Sequence, residues 1–109
     1  MSVQNQTIDN VIKFVVRTGK IVIGFRKTLK LIKLGKVRYV VIASNIPEDI
    51  RFDIMYYASL SGVNVIPFTG TNKELGSVIG KPFAVAVLGI IDTGQVPPEV
   101  LNNLSGVGG

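Results

Sequence analysis

The chain has no cysteine, no histidine and no tryptophan in its 109 residues. Without cysteine there is no disulfide framework and no thiolate metal site. Without histidine, a frequent general base and metal ligand is also missing. Together these absences remove Cys–His and Ser–His catalysis and zinc hydrolysis through His ligands. They leave carboxylate, lysine and tyrosine chemistry open, but with the common nucleophiles and bases missing no catalytic function is expected. Long apolar runs are missing as well. The longest, Phe83 to Ile91, is nine residues with Gly89 inside it, against the ~18–20 that cross a bilayer. A buried strand is the simpler expectation, with no membrane partner. The first residues show no basic segment followed by an apolar one, so no signal peptide is expected, and the cysteine-free composition fits a cytoplasmic protein.

Acid is scarce in one half only. Between Asp9 and Glu48 there is none, while Lys13, Arg17, Lys20, Arg26, Lys27, Lys30, Lys33, Lys36 and Arg38 fall there. Residues 1–47 thus carry nine basic groups against one acid, a net +8, and residues 48–109 carry three against six, a net −3. A basic face on a small domain is the electrostatic footprint of a polyanion partner; the alternative is a solvated lysine face. With 47% hydrophobic residues the chain can bury a sizeable core, which excludes disorder as a class. Its length suits a single domain, 1–109.

What is present reads as alternating helices and strands. Ile8, Val11, Ile12, Val15 and Val16 make a helical stripe over Asn5–Gly19, with Gly19 expected in the left-handed conformation that ends a helix. Ile21–Ile23 is a short strand. A second helix runs from about Phe25 to Leu34, with Phe25, Leu29 and Ile32 on one side and Arg26, Lys27, Lys30 and Lys33 on the other. Val37–Ala43 is β-branched and apolar, as in a central strand buried on both faces. Pro47 suits a first helical position, followed by the acids Glu48 and Asp49. Ile50, Ile54, Tyr57 and Ala58 give that third helix its buried stripe, and Gly62 ends it. Val63–Phe68 is a strand, Thr71-x-x-Glu74 a capping box opening a short helix, and Ala84–Ile91 a fourth strand. Pro97-Pro98 starts a last helix to about Leu104, and residues 105–109 read as a flexible tail. The expected fold is α/β, a three-layer α/β/α sandwich with a mixed sheet of about four strands.

Among stretches that carry chemistry, Gly76-Ser-Val-Ile-Gly80-Lys81 imitates a phosphate loop. It has three residues between the glycines instead of four, Pro82 stands where Ser or Thr would bind magnesium, and it closes a helix instead of opening one. It is rejected. No G-x-G-x-x-G fingerprint exists, and Asp49 with Asp53 reads as a solvated acidic turn. Neither a metal nor a cofactor is expected. Gly24 is different. It sits at a strand–helix junction, where first-turn amides lack intrahelical partners and favour an anion, and Arg26, Lys27 and Lys30 follow it. Gly24 either makes the turn alone or lets a ligand approach the backbone; the convergence of charge and amides favours the second. Two loops should lie at the same end of the sheet: Ser44–Pro47, where the Asn45 amide can read a base edge, and Lys81–Ala84. Phe83, taken by itself, is expected in the core.

The stretches IGFRKTLKLIKLGKVRYVVIASNIP and MYYASLSGVNVIPFTGTNKELGSVIGKPF closely resemble ribosomal protein thirty of the archaeal and eukaryotic large subunit, a family within the kink-turn RNA-binding superfamily. The resemblance covers about residues 5–94. It rests on Gly24 with Thr28 and Lys30, Ala43–Asn45 with Pro47, Tyr56-Tyr57-Ala58, Asn72–Gly76, and Gly80-Lys81 with Phe83. It implies a ribosome-bound, cytoplasmic structural protein that grips a sharply bent ribosomal RNA beside other large-subunit proteins. Gly24, Phe25, Arg26, Lys27 and Lys30 would enter at tandem G·A pairs. Asn45 and Ile46 would contact the bulged side, as would Lys81, Pro82 and Phe83, with Phe83 as an apolar platform. One departure is chemical: many superfamily members carry Asn-Glu where this chain has Arg26-Lys27, and lysine cannot accept a hydrogen bond from guanine. Within the superfamily a guide-RNA particle is an alternative; outside it, a small α/β enzyme or ligand-binding domain. With no apolar surface patch evident in the sequence, the free protein is expected to be a monomer.

Overall fold

The computed structural model describes the backbone of residues 3–106 and the side chains of residues 8–104. The elements are α1 (Val3–Thr18), β1 (Lys20–Ile23), α2 (Phe25–Lys33), β2 (Tyr39–Ile42), α3 (Glu48–Ser61), β3 (Asn64–Pro67), α4 (Asn72–Val78), β4 (Val87–Asp92) and α5 (Pro98–Gly106). The strands form one mixed sheet in the order β1-β4-β2-β3. Strands β2 and β3 are parallel, and β4 runs antiparallel to both β1 and β2.

Strand β2 is central, and all four of its residues are buried. Side-chain alternation sends Tyr39, Val41 and Ala43 to one core and Val40 and Ile42 to the other, because successive side chains leave a strand on opposite faces. The first core takes Ile12 and Val15 of α1, Leu75 of α4 and Leu101 of α5. The second takes Ile32 of α2 with Ile54 and Ala58 of α3. These are the two helical layers of the expected sandwich. Gly89 of β4 faces α2, where a Cβ would come within 2.7 Å of Val22 and 3.0 Å of Thr28. Only glycine lets α2 lie this close to the sheet. Thr28 is fully buried there, and its hydroxyl has no hydrogen-bond partner.

Several details differ from expectation. Gly19 is not left-handed; its role is steric, since a Cβ would lie 2.0 Å from the Asp92 carbonyl oxygen. Pro47 caps α3 from outside with an extended ψ of 145°, as an N-cap position requires. Strand β4 begins at Val87 instead of Ala84, because the preceding residues are held in a loop by the Val85 and Ala86 backbone bonds. Helix α5 continues through Ser105 and Gly106, where a tail was expected, and residues 107–109 lie outside the described residues. The capping box is formed as expected: the Thr71 hydroxyl accepts from the Glu74 amide, and the Glu74 carboxylate accepts from the Thr71 amide at 2.7 Å. The largest correction concerns the surface. Phe52, Met55, Tyr56 and Leu60 of α3 are exposed, so an apolar patch does exist.

Candidate nucleic-acid interface

Strand direction decides which loops meet. Ile42 pairs with Val87 and with Pro67, and Ile23 pairs with Leu88. The C-terminal ends of β1, β2 and β3 and the N-terminal end of β4 therefore share one end of the sheet. Gly24, the Ser44–Pro47 loop and the Lys81–Ala86 loop all emerge there, together with the N-termini of α2, α3 and α4.

Backbone bonds tie these loops together. The Gly24 amide donates to the Val87 carbonyl at 3.0 Å, and the Ala43 amide donates to Ala86 at 2.9 Å. The Val85 amide donates to Asn72 at 2.9 Å, and the Ser44 amide to Gly70 at 2.9 Å. Gly24 thus spends its own N–H on the sheet, and the amides open to an anion begin with the next residue. The first amide of α2 to bond back is that of Thr28, to the Gly24 carbonyl at 3.1 Å. The amides of Phe25, Arg26 and Lys27 precede it, lack intrahelical acceptors and sit at the positive end of the helix dipole.

Gly24 adopts φ 107° and ψ 153°, a region almost reserved for glycine, and nothing lies within 4 Å of the place a Cβ would take. The space above the junction is open. Gly24→Ala is expected to cost about 1–3 kcal/mol of stability through backbone strain alone. On a domain of this size that lowers the melting temperature by about 4–8 °C per kcal/mol. A melting curve superimposable on wild type would show that the junction tolerates a side chain.

Arg26 and Lys27 are exposed in the first turn of α2 beside that opening and Lys30 is exposed further along, in the last turn, whereas Phe25 is half-buried against the α2–α3 core. Asn45 is exposed but not free. Its Oδ1 accepts from the Asn72 amide at 2.8 Å and its Nδ2 donates to Asn72 Oδ1 at 3.1 Å. This reciprocal pair orients the Asn45 amide and leaves it one N–H and one lone pair for a base edge. Ile46 is half-buried against the α2–α3 core and braces the loop from below.

Phe83 is 54% exposed, which overturns the expectation that, taken by itself, it belongs to the core. The loop carrying it has no room to fold inward: the Phe83 carbonyl rests on Gly76 of α4, where a Cβ would lie 2.0 Å away. Lys81 and Pro82 are exposed beside it. Together with Lys73 and Ser77 they line a shallow groove of about 270 Å³. Sequence reasoning missed Lys73 and Asn72 as site residues. The capping box marked the start of α4, but nothing local shows that this helix end abuts the Asn45 loop.

The basic half of the sequence does not form one face. Lys13 and Arg17 belong to α1 and line a groove of about 480 Å³ against Val96, Pro97 and Val100 on the other helical layer. Lys36 and Arg38 precede β2 and so stand at the opposite end of the sheet. Of that half, Arg26 and Lys27 stand at the Gly24 junction, with Lys30 and Lys33 in the last turn of α2, and Lys73 and Lys81 join them across the end. The acids Glu48 and Asp49 open α3 at this same end and border the cationic surface. Among the described residues, no group of three or more His, Cys, Asp or Glu side chains is placed to hold a metal ion.

The curated relatives include large ribosomal subunit protein eL30 of Methanothermobacter thermautotrophicus, 52% identical over 81% of this chain and 90% of its own length. The eL30 of Sulfolobus acidocaldarius is 42% identical over 84% of this chain and 88% of its own. That of Methanocaldococcus jannaschii is 43% identical over 84% and 83%. These relatives are ribosomal proteins, which speaks against the small-enzyme alternative. Residues 6–98 match the ribosomal protein L7Ae/L30e/S12e/Gadd45 family, and the chain belongs to that family.

Proposed function

We propose that this protein is a structural component of the large ribosomal subunit, located in the cytoplasm, that binds a kink-turn in ribosomal RNA and is monomeric when free. The observation that carries the reading is the convergence at one sheet end. The open Gly24 junction with its unpaired first-turn amides, the oriented Asn45 amide and the exposed Phe83 ring are tied to one another through β4 and α4. Folded RNA is read at bulges, where bases leave the stack and lie on aromatic side chains. A duplex cannot use Phe83; a bulged strand can. The names of the relatives support the ribosomal setting.

With Lys27 in place of an acceptor, the α2 segment contacts phosphate or acceptor groups, so affinity leans on charge. Arg26, Lys27, Lys30 and Lys81 would give about four phosphate contacts and a slope of roughly −3 to −4 in log K against log salt. Fluorescence titration of a kink-turn RNA between low and moderate ionic strength measures this, with a straight duplex of equal length as control. A flat salt response, or equal affinity for the duplex, would remove the proposal.

A further inference from the structure

Helix α3 is apolar on two sides, and only one of them is covered. Ile54 and Ala58 are buried against the sheet, with Ile50 and Tyr57 half-buried beside them. On the opposite side Phe52 is 68% exposed, Met55 43%, Tyr56 51% and Leu60 65%. Their spacing of i, i+3, i+4 and i+8 places them on one helical face. At about 200 Å² per large side chain, these four present roughly 450 Å² of apolar surface, the size of the largest patch on a typical monomer, which is often functional.

The patch is organised before any partner arrives. Phe52 and Tyr56 stack with centroids 6.4 Å apart and planes 11° apart. Tyr56 meets Tyr57 edge-on at 5.0 Å, and Lys33 Nζ sits 4.5 Å over the Tyr57 ring. Rings held this way lose little freedom on binding, and tyrosine is enriched among the residues that dominate interface energies.

Charge selects the occupant. Glu48, Asp49 and Asp53 border the patch, against Arg51 of the same helix and Lys33 of α2, whose Nζ lies over Tyr57. Among the described residues none of the three carboxylates has an ion-pair partner. A phosphate backbone would be repelled. A second copy would bring the same negative surplus and set like charge against like. A protein surface with apolar side chains set between lysines or arginines satisfies both the rings and the carboxylates. We infer that the outward face of α3 docks such a basic protein segment, next to the RNA-binding end of the sheet. That this partner is a neighbouring protein of the large subunit rests on the function proposed above.

The test uses the full chain with a photoreactive benzoylphenylalanine at position 52 or 60, and in separate proteins at position 83. Each is rebuilt into large ribosomal subunits depleted of the wild-type chain. Positions 52 and 60 should cross-link to protein, at a peptide carrying Lys or Arg beside apolar residues, and position 83 should cross-link to RNA. Cross-links from 52 and 60 to RNA or to a second copy overturn the docking proposal, as does their absence while position 83 still reaches RNA. If position 83 misses RNA while 52 and 60 reach protein, the RNA reading falls and docking stands; if all three reach nothing, both fall. In a second measurement, the double variant Phe52→Ser with Leu60→Ser competes against wild type for depleted subunits. Its occupancy should fall at least fivefold while its affinity for naked kink-turn RNA stays within twofold and its melting curve shows an intact fold. Equal occupancy overturns the proposal.

Discussion

Phe83→Ala is expected to weaken binding of a bulged RNA by about 1–3 kcal/mol, the range for losing one stacked base, or about five- to 150-fold in Kd. The melting temperature should stay close to wild type. The two readouts separate because Phe83 is more than half exposed. A core phenylalanine cut to alanine loses about 3–5 kcal/mol of stability, and little of that applies to a ring already in water. Isothermal titration on the folded variant, beside a thermal melt, decides it. A large drop in stability with unchanged affinity per folded molecule would return Phe83 to the core and remove the platform. Phe83→Tyr should retain most of the binding, since the stacking face is kept.

Gly76→Ala is expected to damage both stability and binding, against its local sign. In an open helix the change would favour the helix by up to about 1 kcal/mol. Here the new Cβ would lie 2.0 Å from the Phe83 carbonyl oxygen, and the obstructing atom is backbone, so no side chain can swing away. Overpacking of this kind costs about 1–3 kcal/mol, which outweighs the gain in propensity. The loop from Lys81 to Ala86 must lift from α4, taking Phe83 with it and straining the bond from the Val85 amide to the Asn72 carbonyl. Melting temperature and RNA affinity should therefore fall together. A Gly76→Ala protein that melts higher than wild type would show that the loop does not rest on the helix.

The two variants show where local information stops. The pattern of residues 72–80 is legible as a capped helix, and its capping box is present as expected. The reason for a glycine inside that helix is a residue seven positions later, brought back by the turn at Gly80, whose φ is 79°. Gly19 repeats the lesson: it looks like a helix stop, yet its constraint is the Asp92 carbonyl of a strand 73 residues away. Phe83 follows an apolar-run rule that points to the core, but the run is interrupted by a loop whose backbone bonds hold the ring outward. On α3 the inward stripe is readable at helical spacing. The outward one is not, because a helix with apolar residues on two faces has no single polar side to mark its orientation.

The sequence by itself determined the order of elements, the central place of the Val40–Ile42 run, the two-sided burial of the sheet and the cationic helix after Gly24. Each of these follows from periodicity, β-branching, turn chemistry or the run of uncompensated charge, all of which act over a few neighbouring residues. Only the tertiary structure decided which loops meet, which cations face them and which apolar residues stay uncovered. Those outcomes depend on strand order and direction. Placing β4 antiparallel between β1 and β2 brings Gly24, Asn45 and Phe83 to one end, and no interaction between residues close in sequence specifies that pairing.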